Sequence, residues 1–155
     1  MAKRIGFVGV GLMGSSLAKH LLAAGYPVTV HDVDPAKVDA IVKAGGKKAS
    51  SPDRIAPEVD VIMLSLPSSP VVNDVVKNSL KLFETGRKGL IVIDATTADP
   101  ELSKDLAAQL RAKDIEMLDA TISGTSEMCA VKDTIFMAGG KEEIGEDVQA
   151  RTARE

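Results

Sequence analysis

Three glycines near the start of the sequence have the spacing of a phosphate-binding turn. Gly9, Gly11 and Gly14 form a G-x-G-x-x-G pattern between an apolar run and a stretch of helical periodicity. In such turns the first glycine allows a tight bend, the second lets a pyrophosphate approach the backbone, and the third lets helix and strand pack closely. The helix N-terminus then binds the phosphate charge. The pattern predicts a dinucleotide site that includes Leu12 and Met13; the alternative is a glycine-rich turn without a ligand.

An acidic residue at the expected distance supports the dinucleotide site. In such units a carboxylate about 20 residues further on, at the end of the second strand, accepts hydrogen bonds from the ribose hydroxyls. Asp32 lies 18 residues after Gly14, and Val33 stands where an Arg would accommodate a 2′-phosphate. Asp32 therefore favours NAD over NADP. The alternative is a capping or turn role, which Asp34 could equally well have.

The elements that must position these residues alternate along the chain. Apolar runs predict strands over residues 5–9, 27–30, 47–49, 59–66, 90–93, 115–118 and 134–138. Helical spacing and turn residues predict helices over 12–24, 35–44, 71–82 and 100–112, with Asp99 as an N-cap, and a short helix after Ser51-Pro52. This alternation predicts an α/β fold with a doubly wound, mostly parallel sheet, a dinucleotide-binding domain of the Rossmann type.

The chain is predicted to hold one domain and a short tail. Residues 1–140 are expected to form the dinucleotide-binding domain. In residues 141–155 only Ile144 and Val148 are large and apolar, which predicts a weak C-terminal helix or a frayed tail. A chain that alternates so densely and then weakens is expected to be one domain of something longer.

Composition argues against several classes of protein. The chain has 155 residues, 45% hydrophobic and 26% charged, as in ordinary globular domains. Its net charge of -3 disfavours nucleic acid and anionic membranes as partners. The longest apolar stretches, 59–67 and 90–93, are far below the roughly 20 residues of a membrane helix, and residues 1–4 precede no signal-peptide core. Cys129 is the only cysteine, so no disulfide or metal site is predicted and a reducing cytoplasm is expected.

Further motifs follow the predicted strands in a consistent order. They are the opening segment 5–14, the second-strand segment 25–32, the pair Leu66-Pro67, and Asp-Ala-Thr-Thr at 94–97. In type and order these motifs resemble the β-hydroxyacid dehydrogenase family, which includes 3-hydroxyisobutyrate dehydrogenase, tartronate semialdehyde reductase and 6-phosphogluconate dehydrogenase. The resemblance covers nearly the whole chain and implies the same dinucleotide-binding fold.

The resemblance also implies further contacts with the cofactor. Leu66, Pro67, Thr96 and Thr97 are implied to line it, with the later Thr near the nicotinamide. The alternative for the two threonines is capping of the helix after Asp99.

A substrate-binding segment is implied by the resemblance as well. Residues 119–125 resemble the family's Asp-Ala-Pro-Val-Ser-Gly-Gly loop, so Ser123 and Gly124 are implied to bind a substrate carboxylate or hydroxyl; the alternative is a simple turn. Thr121 stands for the proline and Thr125 for the second glycine, two departures that concern the shape of the substrate pocket. Residues 136–140 return to the family pattern.

No catalytic residue is predicted in this chain. The resemblance implies a helical C-terminal domain with a Lys-x-x-x-Asn pair, and neither Asn73 nor Asn78 has a lysine four residues before it. Other candidate groups are interpreted as structural or solvated: His20, His31, Cys129, Lys132 and Lys141.

Two functions from different classes follow. The first is the NAD-binding domain of an oxidoreductase that transfers a hydride between nicotinamide and a small 3-hydroxy acid or semialdehyde, inactive as this chain alone and expected to be a homo-oligomer. The second is a stand-alone NAD-binding or sensing module without turnover.

Overall fold

The computed structural model describes residues 1–123, 125–130 and 135–139, which form a seven-stranded sheet in the order β3-β2-β1-β4-β5-β6-β7. The strands are β1 Ile5–Val8, β2 Val28–His31, β3 Lys47–Lys48, β4 Val61–Leu64, β5 Ile91–Asp94, β6 Glu116–Ser123 and β7 Ile135–Gly139. Strands β1 to β6 pair in parallel, and β7 runs antiparallel to β6. The predicted doubly wound, mostly parallel α/β fold is confirmed.

Helices connect successive strands. They are α1 Leu12–Ala23, α2 Pro35–Lys43, α3 Ile55–Glu58, α4 Ser69–Asp74, α5 Leu82–Thr85, α6 Pro100–Arg111 and α7 Ser126–Ala130. A 3₁₀ turn, Pro52–Arg54, precedes α3, and a π turn, Val75–Ser79, follows α4. Asp99 caps α6 as predicted, because its carboxylate accepts a hydrogen bond from the Glu101 N–H at 2.9 Å.

Both faces of the sheet are covered by helices. Successive strand residues point to opposite sides, so neighbouring residues pack against different helices. Phe7 packs on one face with residues of α1 and α2. Its neighbour Val8 packs on the other face with residues of α3, α5 and α6. This two-sided burial explains why the strands are almost continuously apolar in sequence.

Three predicted elements differ from the structure by two residues or more at one end or both. The predicted helix 71–82 begins earlier, at Ser69, and is interrupted by the π turn and by Lys81 at φ 52°. The predicted strand 59–66 covers only Val61–Leu64, because its parallel partner β1 extends over four residues. The predicted strand 115–118 extends to Ser123, because β7 offers an antiparallel partner beyond the end of β5. The predicted tail, 141–155, lies outside the described residues.

An ion cluster ties the amino-terminal edge of the sheet together. Asp60, just before β4, accepts hydrogen bonds from the Arg4 backbone N–H at 2.8 Å and from the Arg4 side chain at 3.0 and 3.2 Å. Arg87 donates to the same carboxylate at 3.1 Å and to the Val59 carbonyl. The cluster joins the starts of β1 and β4 to the segment before β5, at the edge opposite to the predicted site.

Replacing Asp60 with Asn is expected to lower the free energy of unfolding by roughly 1 kcal/mol at pH 7, because two arginines lose their anionic partner. The Arg4 side chain, then its backbone N–H and Arg87, hold the pKa of Asp60 well below its usual range. The stabilisation is therefore present above the usual carboxyl range and is lost as the pH falls below it. Urea unfolding between pH 7 and pH 2 measures this, with the exposed Asp105→Asn as control. A difference from wild type that stays constant down to pH 2 would contradict it.

Candidate functional site

The candidate site lies at the carboxyl edge of the sheet, where the strand order reverses. Strand β1 has β2 on one side and β4 on the other, so the connections that follow β1 and β4 leave towards opposite faces. The crevice between such connections is where open α/β sheets bind ligands. The residues predicted from sequence follow β1, β2, β4 and β5 or lie in β6, so parallel pairing brings them to this one edge.

Packing requires two of the three glycines. Gly9 has φ +91°, and a Cβ there would overlap the Ser65 carbonyl. A Cβ on Gly14 would overlap the carbonyl of Gly9. The first turn of α1 thus lies directly on the end of β1, which in turn lies against the backbone after β4. Side chains at either position would separate these elements.

Gly11 differs, because among the described atoms none lies within 4 Å of where its Cβ would be. It is the N-cap of α1, with no side-chain cap among the described residues and no acid in the first turn. The first N–H groups of a helix have no partner within it, and they lie at the positive end of the helix dipole. Leu12 beside them is 82% exposed, whereas Met13 packs on the core.

Asp32 is tied to the glycine turn and does not cap a helix. One carboxylate oxygen accepts a hydrogen bond from the Val10 N–H at 2.9 Å, and the other accepts one from the Asp34 N–H at 2.8 Å. Asp34 caps α2 through the Ala36 N–H at 3.0 Å. Each oxygen of Asp32 keeps capacity for a second donor, so the carboxylate is oriented and can still accept hydrogen bonds from hydroxyl groups.

Thr96 and Thr97 occupy different environments. Thr96 is 2% exposed, and its hydroxyl accepts a hydrogen bond from the Leu66 N–H at 3.0 Å. Its own N–H donates to Asp94 at 3.0 Å. Thr97 is exposed, as is Pro67. The Thr96 hydroxyl therefore fixes the loop after β4 from inside, whereas the Thr97 side chain is exposed. The capping role belongs to Asp99.

Asp94 is the most buried acid described at this edge. It is 1% exposed, and in the described structure its second carboxylate oxygen has no hydrogen-bond partner. Burial raises the pKa of Asp94, and the nearby charge of Asp119 adds to the rise, while the hydrogen bonds from Thr96 oppose it. Asp94 therefore takes up a proton more readily than an ordinary carboxyl while it holds the loop of Thr96 in place.

The segment predicted as a substrate loop is largely strand. Residues up to Ser123 belong to β6, and Ser123 pairs with Ile135 of β7, while Gly124 lies outside the described residues. The Thr121 hydroxyl lies 2.9 Å from an Asp119 oxygen and 3.5 Å from the Thr96 carbonyl. With one proton to donate, it bonds mainly to Asp119. The threonine that replaces the family's proline thus bonds within its own strand, and its hydroxyl also lies near the loop after β5.

A cavity of about 240 Å³ lies beside Asp32, between β2, β3 and the start of α2. Its lining combines an apolar wall with polar groups: Val30, Val38, Ala49, Pro35, Pro52, His31, Asp32, Lys48, Ser50 and Ser51. Burial lowers the pKa of His31, opposed by the charge of Asp32. Sequence reasoning missed Lys48, because only the register of β2 with β3, which pairs Val30 with Lys48, brings this cation to the site.

The remaining predicted groups lie elsewhere. His20 is in the last turn of α1, towards the opposite edge of the sheet, and Cys129 is in α7. Lys132 and Lys141 lie outside the described residues. Within the described part of the chain, no helix is long and apolar enough to span a membrane, and no cluster of His, Cys, Asp and Glu could hold a metal ion.

Sequence comparison decides the family. The protein family described as the NAD binding domain of 6-phosphogluconate dehydrogenase matches residues 4–151. The chain belongs to this family. It is the N-terminal, NAD-binding type of domain found in β-hydroxyacid dehydrogenases, as the resemblance of its motifs predicted.

Relatives of this NAD-binding domain are longer dehydrogenases. Mitochondrial 3-hydroxyisobutyrate dehydrogenase of Mus musculus is 35% identical over 139 residues, which are 90% of this chain and 42% of the mouse protein. The structure of Mycobacterium tuberculosis 3-hydroxyisobutyrate dehydrogenase with L-serine superposes with a TM-score of 0.90 at 26% identity, over 97% of this chain and 51% of that one. Psf3 in complex with NADP+ and 2-OPP shares the fold, with a TM-score of 0.86 at 24% identity over 94% and 52%. The domain thus spans about half the length of the proteins it matches.

Replacing Thr96 with Val is expected to lower the free energy of unfolding by about 1–2 kcal/mol, because the Leu66 N–H loses its acceptor. Thr97→Val is the matched control and should change it by less than about 0.5 kcal/mol, because that side chain is exposed. Urea unfolding followed by circular dichroism compares the two. Equal losses of unfolding free energy in the two variants would show that the Leu66 to Thr96 hydrogen bond does not stabilise the fold.

Proposed function

We propose that the chain binds NAD(H) across the crevice, with the pyrophosphate against Gly11 and the first turn of α1. The supporting observation is the open space at Gly11 between two glycines whose positions are filled by backbone. A turn that served packing alone would need Gly9 and Gly14 but not Gly11. The uncapped helix N-terminus supplies donors and positive potential for the phosphate oxygens.

The other predicted residues have matching places in this proposal. Asp32, oriented by two backbone N–H groups, accepts hydrogen bonds from the adenosine ribose hydroxyls. Leu66 and Pro67, fixed through Thr96, form the wall after β4, and Thr97 lies at the nicotinamide end. Leu12 and Met13 flank the phosphates. Ser123 and Gly124 contribute to the substrate side.

The activity of the whole protein is proposed to be hydride exchange between the cofactor and a small 3-hydroxy acid or semialdehyde. The nicotinamide, when bound, accepts or donates the hydride. This domain's residues bind the cofactor, orient it and present one end of it to the strand that ends at Ser123. Support comes from relatives whose names state dehydrogenase activity on 3-hydroxyisobutyrate. The second candidate, a stand-alone NAD-binding or sensing module without turnover, is not better supported by these relatives.

NAD is proposed as the preferred cofactor, since a 2′-phosphate would meet the like charge of Asp32. The homo-oligomer and the cytoplasmic location stay predictions. The mouse relative is named as a mitochondrial protein.

Replacing Gly11 with Val is expected to weaken NAD+ binding by about 100-fold or more, because the side chain occupies the space proposed for the pyrophosphate. Gly11→Ala should give an intermediate loss. Calorimetric titration measures the affinities, and urea unfolding should show that both variants stay folded, because the Cβ meets no described atom within 4 Å. A folded Gly11→Val protein with unchanged affinity would refute the proposed site.

These 155 residues, assayed alone with NAD+ and a panel of small 3-hydroxy acids, are expected to show no measurable hydride transfer. They contain no Lys-x-x-x-Asn pair, and loss of a general acid or base typically costs about 10²–10⁴ in rate. Absorbance at 340 nm reports NADH. Turnover that disappears in Gly11→Val would show that a residue within these 155 transfers the proton.

A further inference from the structure

Asp32 is the reason to expect poor binding of NADP, and no cationic residue directly follows it in the sequence. In the structure a lysine from another strand lies near it. Lys48 lies on β3, which pairs with β2, and Asp32 directly follows β2. Both side chains line the same cavity. The charge near the ribose position is therefore mixed, and not purely negative.

The two lysines of β3 are in different situations. Lys47 lies 3.7 Å from Glu58 in an ion pair and does not line the cavity. Lys48 lines the cavity, and within the described residues it forms no ion pair. Adjacent strand residues project to opposite sides, which accounts for this division. The Lys48 ammonium group is therefore available to pair with an anionic ligand beside Asp32.

The volume of the cavity and the polar groups that line it suit a phosphate group. Its volume of about 240 Å³ corresponds to several water molecules at about 30 Å³ each. Ser50 adds a hydroxyl group to the lining and the half-buried His31 adds an imidazole, whereas the Ser51 hydroxyl donates to Asp53. A phosphate ester on the 2′ oxygen of a ribose held by Asp32 would enter a space lined by the Lys48 ammonium group and the Ser50 hydroxyl.

We propose that Lys48 is a specificity-determining residue of the cofactor site, which pairs with the 2′-phosphate of NADP(H) and limits the preference for NAD(H) that Asp32 imposes. The proposal rests on the proposed dinucleotide function. Asp32 repels the 2′-phosphate, Lys48 attracts it, and the selectivity of the domain is the difference between the two.

Affinities for NAD+ and NADP+ are measured by calorimetry for wild type, Lys48→Ala, Asp32→Asn and the double variant. Lys47→Ala is the matched control, and Lys48→Arg tests whether charge alone suffices. Adenosine 2′,5′-bisphosphate and AMP serve as minimal probes of the adenosine half.

Lys48→Ala should lower the affinity for NADP+ about five- to tenfold more than the affinity for NAD+, in the wild type and in the Asp32→Asn background. Asp32→Asn should raise the affinity for NADP+ about tenfold. The bisphosphate should lose affinity in Lys48→Ala more than AMP does, and Lys48→Arg should restore the wild-type ratio. Lys47→Ala should leave the ratio within twofold, and added salt should reduce the Lys48 effect, as expected for an exposed pair.

An unchanged NADP+ to NAD+ ratio in Lys48→Ala overturns the proposal while leaving NAD+ binding, and so the proposed function, intact. Equal effects of Lys47→Ala and Lys48→Ala also overturn it, because they would show a general surface charge. Failure of the unmutated chain to bind either dinucleotide overturns both the proposed function and this inference.

Discussion

The contact between the first turn of α1 and the ends of β1 and β4 is the constraint on which the site depends. Gly14 lies on the carbonyl of Gly9, and Gly9 lies on the backbone at Ser65. No side chain fits between these three segments. Their close approach fixes the direction of α1 relative to the crevice, and it places the helix N-terminus at the point where the strand order reverses. Asp32 reinforces this arrangement through the Val10 N–H.

A second group of hydrogen bonds fixes the loops on the other side of the crevice. Thr96 bonds to Leu66 through its hydroxyl and to Asp94 through its N–H, while Thr121 approaches from β6. The loops after β4 and β5 are thereby joined through one buried threonine. The exposed Thr97 thus directly follows a threonine that is buried and hydrogen-bonded on both sides.

Sequence reasoning predicted the architecture well, because both of its signals are local. Glycine spacing and alternating apolar runs depend on neighbours in the chain, and they placed the turn, Asp32 and most strands correctly. What it missed depends on pairing between distant segments. The extension of β6 to Ser123 needs β7 as a partner. Lys48 lines the cavity beside Asp32 only because of the β2 to β3 register. The buried hydroxyl of Thr96 has its partner in Leu66, 30 residues earlier. No periodicity in one segment encodes these relations.

The uncapped start of α1 has a consequence for how fast the protein is degraded in a cell. A side-chain cap typically stabilises a helix by about 1 kcal/mol, and α1 forgoes one among the described residues. Anything that occupies those N–H groups binds only the folded form, and it adds about 2.7 kcal/mol of stability at a concentration 100 times its dissociation constant. Proteolysis that samples the unfolded form would then slow as the dinucleotide pool rises. The abundance of the domain becomes tied to the supply of its own ligand.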